Sequence, residues 1–184
     1  MARKISITKD MIRSAAFEIT RSEGTGSVTA RRLADKAGCS TQPIFRIYEN
    51  MEQLYQEIFE MAIGFFSDYY VRFSEKQKTD EKPFVQFGIA YIRFATEEPR
   101  LFQILFLSKE RYGRSLYELL NGATGAFLKE MNRAKELGVK NPGALFMNMW
   151  IFIHGAACMS ITGDYDLTEE ETLGLLRETY AKNA

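Results

Sequence analysis

The single histidine, His154, is the side chain best suited to proton transfer near neutral pH, and it sits in the apolar run Trp150–Gly155, WIFIHG. A general base needs a partner within hydrogen-bond reach, yet no carboxylate stands three or four residues from it on the same helix. The adjacent acids, Glu97-Glu98 and Glu169 to Glu171, fall at helix ends, where carboxylates cap or face solvent. Two cysteines, Cys39 and Cys158, are too few and too isolated for a disulfide framework or a metal site. Phosphate-cradling glycine loops, nucleophile elbows and metal-ligand spacings are missing from the sequence. The expectation is a protein that is not an enzyme and uses no cofactor or metal.

A different chemistry is on offer from Val28 to Leu54, VTARRLADKAGCSTQPIFRIYENMEQL. Thr29 can cap a short helix by accepting a bond from an unpaired backbone N–H. Arg31 to Ala37 then place Leu33, Ala34 and Ala37 on one apolar face. Gly38 suits the left-handed backbone that closes a helix. Ser40 is placed to cap a second helix, and Pro43 falls in its first turn, where a missing N–H costs nothing. Ile44 and Tyr48 are four apart and face inward, which leaves Thr41, Gln42, Phe45 and Arg46 pointing elsewhere. Helix, glycine turn and helix with a polar, basic leading end is the pattern of a DNA-reading helix-turn-helix.

The elements that must hold this pair follow from the flanks. Residues 1–7 read as a loose basic arm with Arg3 and Lys4. Thr8 caps a helix to about Glu23 with Ile12, Ala15, Ala16 and Ile19 on one face, and Gly24 and Gly26 end it. That helix supplies the wall without which two very short helices cannot bury their apolar faces. The succession of an opening helix, V-T-x-R-x-L-A-x-x-A-G, P-x-F-x-x-Y-x-N and a leucine-led helix resembles the N-terminal domain of the tetracycline-repressor (TetR) family over about the first 55 residues.

The resemblance implies operator DNA as a partner and gives residues their roles. It puts Thr41, Gln42, Pro43, Phe45 and Ile47 on the DNA-facing side of the recognition helix. Gln42 carries the donor and acceptor needed to read adenine bidentately, and Arg31 is placed to meet guanine. Thr29, Arg32 and Arg46 are cast as phosphate binders, and Tyr48 completes the contact set. Three positions depart from the family pattern: Phe45 replaces a frequent tyrosine, Ile47 a frequent histidine and Met51 a frequent lysine. Such losses weaken nonspecific, salt-sensitive affinity.

Charge agrees in sign. Residues 1–55 hold nine Lys/Arg against six Asp/Glu, although the chain as a whole is balanced at 24 each. Cys39, in the turn, is expected to pack.

Beyond Met51 the pattern stays helical, and an all-α fold is expected: a helix-turn-helix domain over 1–50 and a ligand-binding and dimerisation domain over 51–184. Leu54, Ile58, Met61, Phe65, Tyr69 and Phe73 form the stripe of a long fourth helix, and Ser74 to Lys82 reads as a charged loop. Pro83 opens a helix to about Glu97, and Pro99 opens another through PRLFQILFL. One helix is expected from after Gly113 to near Gly138, with Leu116, Leu119, Leu120, Phe127 and Met131. Asn141-Pro142 starts a helix to about Thr162 that is apolar on nearly every side, and Thr168 with Glu171 makes a capping box for the last.

The Asn141–Thr162 stretch is long enough to cross a bilayer, but Asn148, His154 and Gly155 interrupt it and basic anchors are sparse, so no membrane role is expected. Cover from a partner subunit is the alternative, giving a homodimer through the last two helices. No secretion signal opens the chain, which points to the cytoplasm. Phe65, Phe66, Tyr69, Tyr91, Phe94, Phe102, Phe106, Met147, Trp150 and His154 are expected to line a cavity for a small apolar or aromatic ligand. The W-x-x-x-H-G segment and PRLFQILF resemble one group of C-terminal ligand domains of the same family.

Overall fold

The computed structural model describes residues 7–77 and 80–184, and the helices expected from the flanking signals are there except for the one after Gly113, which is divided, and the PRLFQILFL helix, which is α-helical only over its first four residues. In order they are α1 (Lys9–Glu23), α2 (Ala30–Ala37), α3 (Gln42–Ile47), α4 (Met51–Gln77), α5 (Val85–Glu97), α6 (Pro99–Phe102), α7 (Leu116–Asn121), α8 (Ala126–Glu136), α9 (Pro142–Thr162) and α10 (Glu169–Asn183). A 3₁₀ turn at Thr25–Ser27 separates α1 from α2, and α6 continues as a π-helical turn, Gln103–Leu107. Among the described residues there is no β-strand, so the fold is all-α. The basic arm expected over 1–7 lies, apart from Ile7, outside the described residues. Packing groups the chain into two units, Met1–Ile63 with Arg100–Gly113, and Gly64–Pro99 with Arg114–Ala184.

The first unit is closed by local signals. Thr8 accepts the Met11 N–H and Thr29 the Arg32 N–H, each at 3.2 Å. Gly38 has φ 67°, the left-handed cap that only glycine adopts without strain. α3 starts one residue later than expected: Thr41, not Ser40, is its cap residue, and no side-chain cap bond forms. Pro43 removes one of the donors such a bond would serve. Ile12, Ile19, Leu33, Ile44, Leu54 and Ile58 are all at most 2% exposed and form one core. Each such side chain contributes about 1.5–3 kcal/mol by leaving water.

On α4 the buried stripe differs from the expectation. Leu54, Ile58 and Phe73 are buried, but between them the stripe passes through Ala62, Phe66 and Tyr70, while Met61, Phe65 and Tyr69 are half-buried. Steps of three and four from Ile58 both meet apolar residues, so spacing alone does not separate the two faces. The helix also runs to Gln77, through part of the stretch expected as a loop. Exposed Glu75, Lys76 and Gln77 are good helix formers, and charge there does not oppose helix.

In the second unit the single helix expected after Gly113 is two, α7 and α8. Gly122 (φ 50°) and Gly125 (φ 68°) turn the chain between them, and Ser67 Oγ sits 2.9 Å from Thr124 Oγ1. A Cβ at Gly122 would lie 2.6 Å from Ser67 Oγ. α9 packs on α5 and α10 through Leu145, Phe146, Met149, Trp150, Ile153, Ala156 and Ala157. Gly88 permits that approach, because a Cβ there would stand 2.9 Å from Ile153 Cδ1 and 3.1 Å from Leu176 Cδ1. Glu130, 3% exposed, accepts the Phe84 N–H at 2.7 Å and an Arg133 guanidinium bond at 3.0 Å. Arg133 also donates to the Glu81 carbonyl at 2.6 Å, and Glu81 pairs with Arg177, so one ionic chain ties the start of α5 to α8 and α10.

α9 is long and apolar enough to cross a membrane by length and composition alone. Its other face leaves Met147, Ile151 and Met159 exposed at 40%, 68% and 45%.

The Gly122→Ala protein should be destabilised by roughly 2 kcal/mol, since the substitution adds both backbone strain and a clash. Gly64, inside α4 with nothing within 4 Å of its would-be Cβ, is the control: Gly64→Ala should be neutral or stabilising by up to about 1 kcal/mol. Urea unfolding midpoints would check both.

Candidate nucleic-acid interface and aromatic cluster

α3 is six residues long, too short to hold itself together. Ile44, 1% exposed, and Tyr48, 2% exposed, anchor it from below. The opposite edge presents Thr41, Gln42, Phe45 and Arg46 to solvent, with Phe45 55% exposed. Pro43 and Ile47 are half-buried, and Ile47 packs against the core together with Cys39 and Met51. On α2, Arg31 and Arg32 are exposed, as is the capping Thr29. An edge carrying an amide, a guanidinium and a bare aromatic ring offers hydrogen bonds, charge and apolar contact to a groove.

Two of the basic side chains already have partners. Arg32 pairs with Glu23 at 2.7 Å and Lys36 with Glu18 at 2.9 Å, all four side chains being partly exposed. The hydrogen bond and charge of Glu23 hold the Arg32 pKa above its ordinary value. Surface pairs of this kind contribute little to stability, so exchanging Glu23 for a phosphate costs little.

Tyr48 lies inside the unit rather than on the outward edge. Its hydroxyl donates to Glu57 Oε2 at 2.8 Å, and Lys9 bonds the same carboxylate at 2.5 Å while lying 5.4 Å from the Tyr48 ring. Burial, the Glu57 bond and the Glu57 charge together push the phenol well above its usual range. Burial pushes the Glu57 carboxyl up, but the bonds from Lys9 and Tyr48 outweigh it and hold it below the ordinary carboxylate value. This three-membered pin joins α1, the end of α3 and α4. Glu57 carried no signal in the sequence, because a charged residue on a helix looks the same whether or not another helix meets it.

Most of the ligand candidates belong to the second unit. Phe66 meets Phe87, Tyr91 and Phe94 edge-on at 6.2, 6.0 and 4.9 Å. Phe65 and Tyr69 lie 6.4 and 5.2 Å from Phe94. Tyr91 meets Trp150 at 4.8 Å, and Trp150 stacks on His154 at 5.3 Å with 18° between the rings. The Tyr91 hydroxyl is 3.0 Å from His154 Nδ1, and Cys158 Sγ is 3.8 Å from Nε2. Burial raises the Cys158 thiol above its ordinary value. Seven candidates thus share one cluster in the second unit: Phe65, Phe66, Tyr69, Tyr91, Phe94, Trp150 and His154. Phe102 and Phe106 form a pair at 5.2 Å within the first unit, and Met147 is exposed on α9. Sequence reasoning missed Phe87, 1% exposed and set edge-on against Phe66, as a site neighbour. Among the described residues no group of three or more His, Cys, Asp or Glu could hold a metal ion.

The Glu57 pin gives a pH dependence. A carboxyl whose folded pKa is depressed stabilises the fold fully above its unfolded value of about 4.3, and that contribution is lost as pH falls through the folded value. The gap in urea midpoint between the wild-type and Glu57→Gln proteins should therefore be present at neutral pH and close by about pH 3. A gap that does not change with pH would exclude the charge of Glu57 as its source.

No curated protein sequence matches this chain. Among solved structures, a TetR family transcription regulator from Marinobacter aquaeolei VT8 superposes with a TM-score of 0.65 at 18% identity, over 94% of this chain and 95% of that one. At that identity the likeness establishes the fold. The sequence profile described as "Tetracyclin repressor-like, C-terminal domain" matches residues 84–179, more than half of the chain. With the helix-turn-helix in front of it, this chain belongs to the tetracycline-repressor family of ligand-responsive, DNA-binding transcriptional regulators.

Proposed function

We propose that this regulator is a cytoplasmic homodimeric repressor, not an enzyme, released from an inverted-repeat operator by a small apolar or aromatic molecule. The observation that carries the reading is the outward edge of α3, where Gln42, Phe45 and Arg46 are exposed above anchored Ile44 and Tyr48. Gln42 reads adenine, Phe45 meets a thymine methyl, and Arg31 reads guanine from α2. Thr29, Arg32, Thr41 and Arg46 hold phosphates, with Pro43 and Ile47 setting the backing of the helix and Tyr48 locking it from inside. The working division is a DNA-reading domain over 1–50 and a ligand and dimer domain over 51–184.

One recognition helix reads too few base pairs, and two copies about a two-fold axis read an inverted repeat. The outward face of α9, with Met147, Ile151 and Met159, and the neighbouring Leu175 of α10 at 37% exposure, support the last two helices as the dimer face. The aromatic cluster around Tyr91, Trp150 and His154 supports the ligand class, with the Tyr91–His154 pair as its polar handle. The same segment supports membership of the W-x-x-x-H-G group. Ligand binding acts by population shift, favouring a state whose recognition helices are misspaced for adjacent major grooves.

Selection of a tight duplex from a random library, followed by titration at two salt concentrations, tests the DNA role. Gln42→Ala should weaken the selected duplex roughly tenfold or more and leave random DNA unaffected. Arg46→Ala should weaken both and reduce the salt slope by about one. Binding indifferent to salt, or none at low salt, would sink the reading and favour the alternative, a front domain that contacts protein. Sedimentation of Ile151→Glu against the wild-type chain tests the interface: the expected result is monomer against dimer, and a monomeric wild type refutes it.

A further inference from the structure

The first unit holds a cavity of about 300 Å³ between the Thr25–Ser27 turn, α4 and the segment that follows the π-helical turn. The DNA reading makes no use of it, and its lining residues all belong to the first unit, whereas the aromatic cluster is made of second-unit residues. Its walls include the rings of Tyr55, Phe59 and Tyr112, with Ile104 from the π-helical turn. The one charged residue among those lining it is an acid, Glu110. A volume of this size is at the lower bound of small-molecule pockets.

The geometry around it marks it as built rather than left over. Tyr112 is one of two non-glycine residues with positive φ among the described residues, at 48°, and strain of that kind collects at ligand clamps. The strain is held by a chain of bonds: Ser108 Oγ accepts the Glu110 N–H at 3.1 Å, and Glu110 Oε1 accepts the Tyr112 N–H at 3.1 Å. The Tyr112 ring is set against Phe59 at 5.2 Å and 58°, making a corner of two faces. Tyr55 donates its hydroxyl to the Val28 carbonyl at 2.9 Å, so its ring rather than its polar end is what it offers. Burial and a bond to Glu52 raise the Tyr112 phenol to about 12, which keeps that ring neutral beside two acids.

Aromatic faces carry negative potential that attracts cations, and a neighbouring carboxylate adds its own charge attraction. A neutral ligand gains at most a hydrogen bond from Glu110, an anion is repelled by it, and a cation gains both its charge and the ring faces. We propose that this cavity binds a small organic cation of the quaternary ammonium class, caged by Tyr55, Phe59 and Tyr112 and neutralised by Glu110. The site borders the Thr25–Ser27 turn that leads into α2, and its occupancy is independent of whether α3 reads DNA.

Calorimetric titration of the full chain with choline, and with its neutral isostere in which carbon replaces the quaternary nitrogen, tests this directly. Choline should bind at least about tenfold more tightly than the isostere. Glu110→Gln, an exposed position that does not threaten folding, should lose about tenfold in choline affinity, and Tyr112→Leu a similar amount with an unchanged circular dichroism spectrum. Trp150→Phe, in the second unit, should bind choline as the wild type does. Equal affinity for the two probes, no heat from choline at millimolar concentration, wild-type affinity in Glu110→Gln, or loss in Trp150→Phe would each overturn the proposal.

Discussion

Helices of eight and six residues, α2 and α3, cannot persist in water by themselves. The recognition edge therefore exists only because Leu33, Ala34, Ile44 and Tyr48 are buried against α1 and the start of α4. That burial does more than stabilise. It fixes which side of α3 faces out, and so decides that Gln42, Phe45 and Arg46 are the side chains a duplex would meet. The departures from the family pattern fall into two kinds by the same logic. Met51 and Ile47 turn toward the core and exchange a polar contact for packing, whereas Phe45 remains outside and exchanges a hydroxyl for an apolar surface.

Polar groups hold these helices in place where apolar contact would leave them free to slide. In the first unit Lys9, Tyr48 and Glu57 lock three helices through one carboxylate. In the second, Glu130 and Arg133 hold the backbone entering α5, and Glu81 carries the tie on to Arg177 of α10. A carboxylate held by several bonds is directional in a way that a leucine is not. Each unit thus pairs a non-directional aromatic or aliphatic core with directional ionic contacts between its helices.

Much of this was legible in the residues themselves. Thr8, Thr29 and Thr168 cap as read, Gly38 closes α2 as read, and α9 starts at Asn141-Pro142 and spans the expected residues. These signals are local: a hydroxyl reaches an N–H three residues on, and glycine's φ depends on nothing distant. Failures came where two local answers were equally good. Met61, Phe65 and Tyr69 on α4 keep the period as well as Ala62, Phe66 and Tyr70, and only the neighbouring helices choose between them. Gly122 and Gly125 read as tolerable helix interior until Ser67, more than fifty residues earlier in the chain, is found beside them.

The sequence by itself determined the all-α class, the helix-turn-helix and the polar edge of α3, because caps, turns and amphipathic period are set by contacts within a few residues. Only the tertiary structure decided that Tyr48 is an inward lock on Glu57, that Phe102 and Phe106 pair within the first unit, and that Gly88 is where α5 meets α9 and α10. It also made a cavity of Tyr55, Phe59, Glu110 and Tyr112, residues with no common spacing. The physical reason is the same in each case. Side-chain partners drawn from distant helices leave no periodic trace in the order of the residues.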